Sequence, residues 1–499
     1  MAISSRQSFA QNQCSHPLNY SFFTRLSSGM FKNINLIKSI IAILLVFIPL
    51  YPKFPLFNVP NTYVAIRLDD IVVALAVSIW FIYQISLGFP FLKQKITKLF
   101  FLYFLAIFVS FIHAYLIYQT EPVNILLLHL FRRFEYMSLF FITLDAVKSF
   151  TDFKFIYYFF LVATSLISFY GYGQKYLHFP VISTMNSEFS KGQLLQMNIW
   201  TRISSTFAGH YDLAAFLSVA LIIIFTVFLL TKNRFTKIIS LLVWLPSYHI
   251  LTLTASRISI FAFLGGVCLT LIFIKKYFWI IPITSLVVFS IFNSNDLNQR
   301  LIATIPALKN QFNQTGQTIE TPKPTIIPTP TLISKLTPTP KQVIKPTPTV
   351  IRHQLETYPP VDADVGVARS GEIRFNAEWP RAITAWHCNL LVGSGLGSIT
   401  LATDNDYLRC LGESGLLGLI TFSAIMLYFI VKTVPIVFKK SKTNYDMISL
   451  ICLGGLITTL ANAIFIDVFE ASKTAYLFWI MLGCYHQSLN IKHKNDSKK

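Results

Sequence analysis

Long apolar runs are the feature that most constrains what this chain can fold into. They recur along most of its 499 residues, and each is about 20 residues long, the length that an α-helix needs to cross a bilayer. The runs are continuous, whereas the strands of an outer-membrane barrel alternate between apolar and polar residues. Because 54% of the residues are hydrophobic and 13% are charged, we predict an all-α, polytopic integral membrane protein.

About twelve transmembrane helices are predicted from these runs. They lie near residues 36–51, 69–88, 99–118, 122–146, 153–171, 211–230, 237–254, 257–274, 277–293, 413–436, 446–467 and 471–489. The region 36–293 forms a first bundle of about nine helices, and 413–489 contains the last three. Lys32 and Lys38 precede the first run, and no convincing small-residue cleavage site follows it, so we interpret it as an anchor and not as a signal peptide.

The short connections between these helices predict the orientation of the chain. With twelve helices, the basic connections all fall on the side of both termini; they contain Lys93, Lys95, Lys98, Lys148, Lys154, Lys232, Arg234, Lys237, Lys275, Lys276, Lys439, Lys440 and Lys442. The positive-inside rule therefore places the N-terminal segment 1–35 and the basic tail 490–499 in the cytoplasm. This sorting and the attraction to anionic lipid account for much of the +20 formal charge, so we predict no nucleic-acid partner.

The same orientation puts two large segments, 172–210 and 294–412, on the outer face of the membrane. The second contains a Thr/Pro-rich stretch, and proline at this density favours extended polyproline II over helix or sheet. We therefore predict a disordered linker at about 315–350, whose hydroxyls offer an alternative role as attachment sites for O-linked sugar. Helical structure is predicted to resume at about 369–412.

We single out four of the arginines on the predicted outer side, which run against the positive-inside bias. Arg202 and Arg257 fall at the membrane surface, and Arg374 and Arg381 fall in the large external segment. A guanidinium fork pairs two phosphate oxygens at once, which suits a lipid pyrophosphate. The alternative for each arginine is snorkelling to lipid headgroups. The serine and threonine hydroxyls beside Arg202 and Arg257 favour the phosphate interpretation.

Five short motifs follow one another along the region from about 200 to 420. They are Arg202-Ile203-Ser204-Ser205-Thr206-Phe207, Thr254-Ala255-Ser256-Arg257, Arg374 with Trp379 and Ala382, Gly393-Ser394-Gly395-Leu396-Gly397, and Asp404-Asn405 followed after nine residues by Gly415-Leu416-Leu417-Gly418. In this order the set resembles the O-antigen ligase and O-antigen polymerase superfamily, whose loop signature is usually His-Asn, nine residues and Gly-x-x-Gly. Members of that superfamily transfer sugar chains from a polyprenyl pyrophosphate lipid on the outer face of the cytoplasmic membrane.

The resemblance implies a metal-independent glycosyltransferase that acts in cell-surface polysaccharide assembly without a cofactor. Its partners would be a polyprenyl-pyrophosphate-linked oligosaccharide donor, a glycan, lipid or protein acceptor, and the bilayer. Arg202 and Arg257 match the superfamily's pyrophosphate-binding arginines, and with Asp404 they form the predicted catalytic set. The predicted substrate-binding residues are Arg374, Arg381, Asn405, Tyr407, His210 and Trp379. The motifs do not separate polymerase from ligase, although loss of the motif histidine favours polymerase.

Asp404 is a departure from the motif, because the superfamily has histidine at this position. A neutral histidine is suited to take a proton from the acceptor hydroxyl. A free aspartate with a reference pKa of about 3.9 is a weaker base unless burial raises that pKa. Asp404 is therefore either the base or a turn or helix N-cap residue. Other candidate bases on the outer side are His210, His387, Asp406 and Glu413.

Other polar and cysteine residues leave alternatives open. Cys388 and Cys410 either form a disulfide on the outer side or stay as free, small apolar residues. Arg132, Arg133 and Glu135 lie inside a predicted span, where they form an internal ion pair or serve a function. No metal-ligand spacing, phosphate-binding glycine loop or Gly-x-Ser-x-Gly elbow occurs in the sequence.

Two other functions compete with the O-antigen-type transferase. The first is a peptidoglycan-type membrane glycosyltransferase, which is also polytopic with an external loop, but its motifs are not evident here. The second is a lipid-linked glycan flippase or transporter, which predicts internal repeats and polar breaks at mid-membrane. We see no clear repeat, and the polar clusters lie at the outer surface, so the transporter is the weaker alternative.

Overall fold

The computed structural model describes residues 35–52, 54–58, 65–118, 122–182, 194–195, 202–294, 373–399 and 402–496. The predicted linker at 315–350 and the predicted cytoplasmic segment before residue 35 lie outside these ranges. Their predicted properties stay predictions.

Thirteen α-helices occur in the described residues. They are α1 (Asn35–Leu50), α2 (Leu68–Leu87), α3 (Lys95–His113), α4 (Val123–Ala146), α5 (Phe150–Tyr176), α6 (His210–Leu230), α7 (Arg234–Leu253), α8 (Arg257–Phe273), α9 (Ile280–Asn293), α10 (Trp379–Cys388), α11 (Asp406–Phe438), α12 (Asn444–Asn462) and α13 (Ser472–Asp496). Two short antiparallel hairpins pair β1 (Pro55–Asn58) with β2 (Ala65–Arg67) and β3 (Val181–Ile182) with β4 (Leu194–Leu195). A helix overlaps each of the twelve predicted spans.

Seven helices are long and apolar enough to cross a membrane, which fits an all-α, multi-pass membrane protein. They are α2, α3 with the π-helical turn that follows it, α5, α6, α7, α11 and α12. The helices α1, α8 and α9 are apolar but shorter. The apolar sequence of α4 is interrupted by the charged residues Arg132, Arg133 and Glu135. Twelve crossings therefore remain a prediction.

α6 is the most buried of the seven long apolar helices. In its most apolar window 72% of the residues are buried, and it packs against α7, α8 and α12. Small residues bring α8 and α12 close together. A Cβ at Gly266 would collide with Thr458, and one at Gly454 would collide with Thr270.

Helix ends meet at one end of the bundle, which we call the polar end. Gln174, near the end of α5, donates to the Ser205 carbonyl just before α6 over 2.9 Å. Ser110, near the end of α3, donates to the Glu413 carbonyl in the first turns of α11 over 2.8 Å. The ends of α3 and α5 therefore lie beside the beginnings of α6 and α11.

Lysine residues mark the opposite end of the bundle, which we call the lysine end. Lys38 of α1 pairs with Asp152 in the first turn of α5 at 2.8 Å. Lys439, just after α11, pairs with Asp446 in the first turn of α12 at 3.3 Å. Because α5 and α11 each run from one end to the other, the polar end and the lysine end are separated along the length of the helices.

Candidate functional site

Three of the four predicted outward arginines converge at the polar end. Arg202 lies before α6, Arg257 begins α8, and Arg374 begins a π-helical turn that leads into α10. Arg257 interacts electrostatically with Arg202, Arg374 and the Tyr211 hydroxyl group. We call these three residues the arginine cluster. Like charges repel at close range, so their grouping favours an anionic ligand.

His210 is held by the arginine cluster. Its Nε2 atom lies 2.6 Å from Arg202 Nη1. Arginine stays protonated in proteins, so Nη1 donates and the His210 ring nitrogen accepts. The Nε2 lone pair of His210 therefore accepts from Arg202, so His210 is a poor candidate for the base. The same hydrogen bond fixes the orientation of the Arg202 guanidinium.

Arg374 forms an ion pair with Asp404. Its Nε and Nη2 atoms donate to Asp404 Oδ2 over 2.9 and 2.6 Å. The Arg374 guanidinium also stacks over the Tyr211 ring, 5.6 Å from its centroid, and is 6% exposed. Burial raises the pKa of Asp404 above its usual range, and Arg374 opposes that rise. Asp404 thus serves as the counter-ion of Arg374 in this structure.

The local backbone distinguishes the two interpretations of the Asp404-Asn405 pair. Asn405 is the N-cap of α11, because its side chain accepts from the Leu408 N–H over 2.9 Å. Asp404 precedes the cap with φ +49°, a left-handed conformation that aspartate tolerates better than most residues. Asp404 is therefore a turn residue and not the cap, and the turn directs its carboxylate to Arg374.

Two chain segments hold each other around this turn. Asp467 accepts from the N–H groups of Thr403 and Asn405 over 2.9 and 3.1 Å. In return, Asp406 accepts from the Val468 N–H over 2.7 Å. We call these reciprocal contacts the aspartate clasp. They fix the backbone on both sides of Asp404.

Replacing Asp467 with alanine is expected to lower stability by about 1–3 kcal/mol, the usual cost of leaving buried donors unsatisfied. The N–H groups of Thr403 and Asn405 would lose their acceptor. Thermal unfolding in detergent is the measurement, with Asp467→Asn, which keeps one carbonyl acceptor, as the matched control. An unchanged unfolding temperature for Asp467→Ala would show that the clasp contributes nothing.

A buried ion network lies behind the clasp. Arg409 is 3.3 Å from Glu413 and 3.2 Å from Asp467. Arg133 of α4 is 3.6 Å from Glu413 and also pairs with Glu470. Burial alone would raise the pKa of Glu470, but Arg133 and Arg409 outweigh it and lower that pKa to about 2. The network joins α4, α11 and the 463–471 connection below the arginine cluster.

Two of the three charged residues predicted inside a span of α4, Arg133 and Glu135, contact other parts of the bundle, and Arg133 forms an internal ion pair. Arg133 pairs with Glu413 and Glu470. Glu135 accepts a hydrogen bond from the Tyr476 hydroxyl of α13. Both residues therefore connect α4 to other helices, which a local reading of the sequence cannot show.

The other predicted site residues have varied surroundings. The Tyr407 hydroxyl donates to the Leu460 carbonyl over 2.8 Å, so it is used within the bundle. Trp379 packs against Phe375 and Phe465 with ring centroids 4.6 and 6.1 Å away. His387, a rival candidate for the base, is exposed on α10.

Two further predictions concern cysteines and metals. In the described part of the chain no disulfide joins Cys388 and Cys410. Within the same ranges, no group of three His, Cys, Asp or Glu side chains is arranged to hold a metal ion.

Glu378 is a residue of this site that the sequence analysis did not single out. It ends the π-helical turn that Arg374 begins, and it interacts electrostatically with Asp404, Arg374, Asp467 and Arg381. No motif pointed to it, because it occupies an unspecified position between Arg374 and Trp379. Its proximity to Asp404 depends on tertiary contacts across the polar end.

Comparison with models of known protein families and with curated protein sequences found no match for this chain.

Proposed function

We propose that this protein is a membrane glycosyltransferase that uses a polyprenyl-pyrophosphate-linked glycan as donor. It transfers or polymerises that glycan on the outer face of the cytoplasmic membrane, as O-antigen polymerases and ligases do, in cell-surface polysaccharide assembly. The observation that carries the proposal is the arginine cluster. Arg202, Arg257 and Arg374 come from distant parts of the chain and meet around Tyr211 at one end of a bundle of apolar helices.

The chemistry of transfer requires such cations. When the bond between the anomeric carbon and the pyrophosphate oxygen breaks, negative charge develops on the leaving group. Fixed guanidinium groups stabilise that charge best when their orientation is set before the reaction. His210 orients Arg202, and Asp404 and Tyr211 orient Arg374. The acceptor hydroxyl attacks from the opposite face of the sugar, so the anomeric carbon inverts.

The orientation of the chain follows from the same proposal. Twelve crossings with both termini in the cytoplasm put the polar end outside and the lysine end inside, as the positive-inside rule requires. The separation of the arginine cluster from Lys38 and Lys439 along the helices supports this orientation. The lipid donor then reaches the arginine cluster from the outer leaflet.

Replacing Arg202 or Arg257 with alanine is expected to lower the rate of glycan transfer by about 100- to 1,000-fold, the usual effect of removing one group that stabilises developing charge. The chain is expressed in membranes with a polyprenyl-pyrophosphate oligosaccharide, and product and released lipid pyrophosphate are measured. Arg234→Ala is the matched control, because Arg234 is exposed at the beginning of α7, at the lysine end.

Two outcomes would contradict the proposal. Transfer at the wild-type rate in both the Arg202 and the Arg257 variants would remove the arginine cluster from the reaction. Lipid-linked sugar that crosses the bilayer unchanged, without formation of a new glycosidic bond, would identify a flippase instead.

A further inference from the structure

Three buried polar atoms next to the arginine cluster have no hydrogen-bond partner within the described residues. They are Glu378 Oε2, Trp379 Nε1 and Arg381 Nη1. All three side chains come from the end of the π-helical turn and the first turn of α10. Buried polar groups are normally hydrogen-bonded, and a group of exceptions in one place needs an explanation. One acceptor and two donors together are what a ligand with hydroxyl groups would satisfy.

The group lies beside Asp404. Glu378 interacts electrostatically with Asp404 and Arg374, which form the ion pair described above. It also interacts with Asp467 of the aspartate clasp and with Arg381. The three unsatisfied atoms therefore lie next to the position where the arginine cluster would hold the leaving group. None of them takes part in the ion pair between Arg374 and Asp404.

The chemistry of the three side chains selects a sugar over a phosphate. A hydroxyl both donates and accepts, so it can bond to the Glu378 carboxylate and to an N–H donor at once. A phosphate would be repelled by that carboxylate. The Trp379 indole, packed edge-on against Phe375 with centroids 4.6 Å apart, adds an aromatic surface of the kind that packs on apolar groups.

We propose that Glu378 is the catalytic base of the transfer reaction and that Trp379 and Arg381 hold the acceptor sugar. This inference rests on the proposed function. In the step, the acceptor hydroxyl gives its proton to the Glu378 carboxylate while its oxygen bonds to the anomeric carbon of the donor. The bond from that carbon to the pyrophosphate oxygen breaks, and polyprenyl pyrophosphate leaves with the electron pair. Glu378 then returns the proton to water.

Asp404 and Glu378 have different roles in this scheme because their surroundings differ. Burial also raises the pKa of Asp404, but both donors of the Arg374 fork lie on its Oδ2 atom, and this cation opposes protonation of Asp404. Burial, followed by the charge of Asp404, raises the pKa of Glu378 to about 7, with Asp467 adding to the rise and Arg374 and Arg381 opposing it. A base is most effective when its pKa lies near the working pH. Glu378 thus supplies the function that histidine has in the superfamily motif.

The test compares Glu378→Gln with the wild-type chain in the membrane transfer assay. The variant is expected to lose about 100- to 10,000-fold in kcat, the usual contribution of a positioned base, with little change in KM for the donor. In the wild-type chain the rate should rise with pH, with a midpoint at about 7, as Glu378 loses its proton. This rising limb of the pH–rate profile should be absent from Glu378→Gln. Thr384→Ala, an exposed change on the same helix, is the matched control.

Two more variants make the test independent of folding. Glu378→Asp keeps a carboxylate and should restore part of the rate. The rising limb of its pH–rate profile should lie at a different pH from that of the wild-type chain. Asp404→Asn should shift the limb to lower pH, because the charge of Asp404 raises the pKa of Glu378. If Glu378→Gln does not accumulate in the membrane, these two variants decide the question.

The possible outcomes separate this inference from the function on which it rests. Absence of any product from the wild-type chain would contradict the transferase proposal. An active wild-type chain whose rate and pH limb survive in Glu378→Gln would overturn the role of Glu378 and leave the transferase proposal standing. A limb that disappears in Asp404→Asn but persists in Glu378→Gln would assign the base to Asp404 instead.

Discussion

Replacing Gly415 with alanine is expected to disrupt folding of the polar end. Gly415 has φ +63° and ψ −165° in the middle of α11, a conformation that is essentially restricted to glycine and costs other residues about 1–3 kcal/mol. A Cβ there would also collide with the backbone of Leu391 and Val392. We therefore expect little folded protein in the membrane and a greatly lowered thermal unfolding temperature in detergent.

The collision cannot be relieved by a small backbone movement. The N–H groups of Leu416 and Leu417 donate to the carbonyls of Leu390 and Leu391, each over 3.0 Å. These bonds hold the segment before the Gly-rich turn directly against the kink in α11. Separating the two segments to admit a methyl group would break both hydrogen bonds, so the cost of collision adds to the cost of strain.

Gly265 supplies a matched control for this experiment. It lies in α8, and a Cβ at that position has nothing within 4 Å. Alanine is a better helix former than glycine by about 1 kcal/mol, so Gly265→Ala should be neutral or stabilising. If Gly415→Ala unfolded at the same temperature as Gly265→Ala, the kink in α11 would not require glycine at position 415. Backbone strain and collision would then not explain the first glycine of Gly415-Leu416-Leu417-Gly418.

The positions of the helices could be predicted from the sequence because bilayer thickness is a strong constraint. Their ends were less predictable. The span predicted near 413–436 lies within a longer helix, Asp406–Phe438, whose first turns contain the charged residues Arg409 and Glu413 and overlap the helical part predicted at about 369–412. In the structure those charges are buried and paired with each other at 3.3 Å. The predicted span 471–489 overlaps α13, which runs from Ser472 to Asp496.

The candidate site was predictable residue by residue but not as an assembly. Arg202, Arg257 and Arg374 could be singled out because each opposes the positive-inside bias. Their meeting around Tyr211 depends on the packing of α6 and α8 and on the turn before α10. Helix propensity and hydrophobic periodicity contain no information on which helix ends become neighbours.

Carboxylates of the site were the hardest residues to predict. Asp467 and Glu378 belong to no motif in the sequence, and an isolated acidic residue has many uses. Their importance comes from what surrounds them: Asp467 accepts from the backbone on both sides of Asp404, and the half-buried Glu378 interacts electrostatically with the same residue. Only tertiary structure supplies those neighbours.

Replacing Arg409 with leucine is expected to be the most destabilising change in the ion network. The Arg409 guanidinium lies 3.3 Å from Glu413, 3.2 Å from Asp467 and 3.8 Å from Glu470, and it is 8% exposed. Removing one partner of a buried ion pair leaves an uncompensated charge and typically costs about 3–5 kcal/mol. Unfolding by denaturing detergent in mixed micelles would measure the loss.

The physical reason for this loss can be separated from a loss of packing. Arg409→Lys keeps the positive charge but lacks the planar fork, whose Nη2 also donates to the Ile399 carbonyl over 3.0 Å. It should therefore fall between the wild-type chain and Arg409→Leu. In the double variant Arg409→Leu with Glu413→Leu, one of the stranded carboxylates is removed as well, and replacing a whole buried pair by apolar residues is often neutral or stabilising.

The double variant is consequently expected to be more stable than Arg409→Leu alone, although Asp467 and Glu470 would still lack their shared cation. Non-additivity of this sign is the mark of a direct interaction between charges. If the two leucine substitutions instead added, Arg409 and Glu413 would not interact directly, and their 3.3 Å contact would contribute nothing to the stability of the ion network.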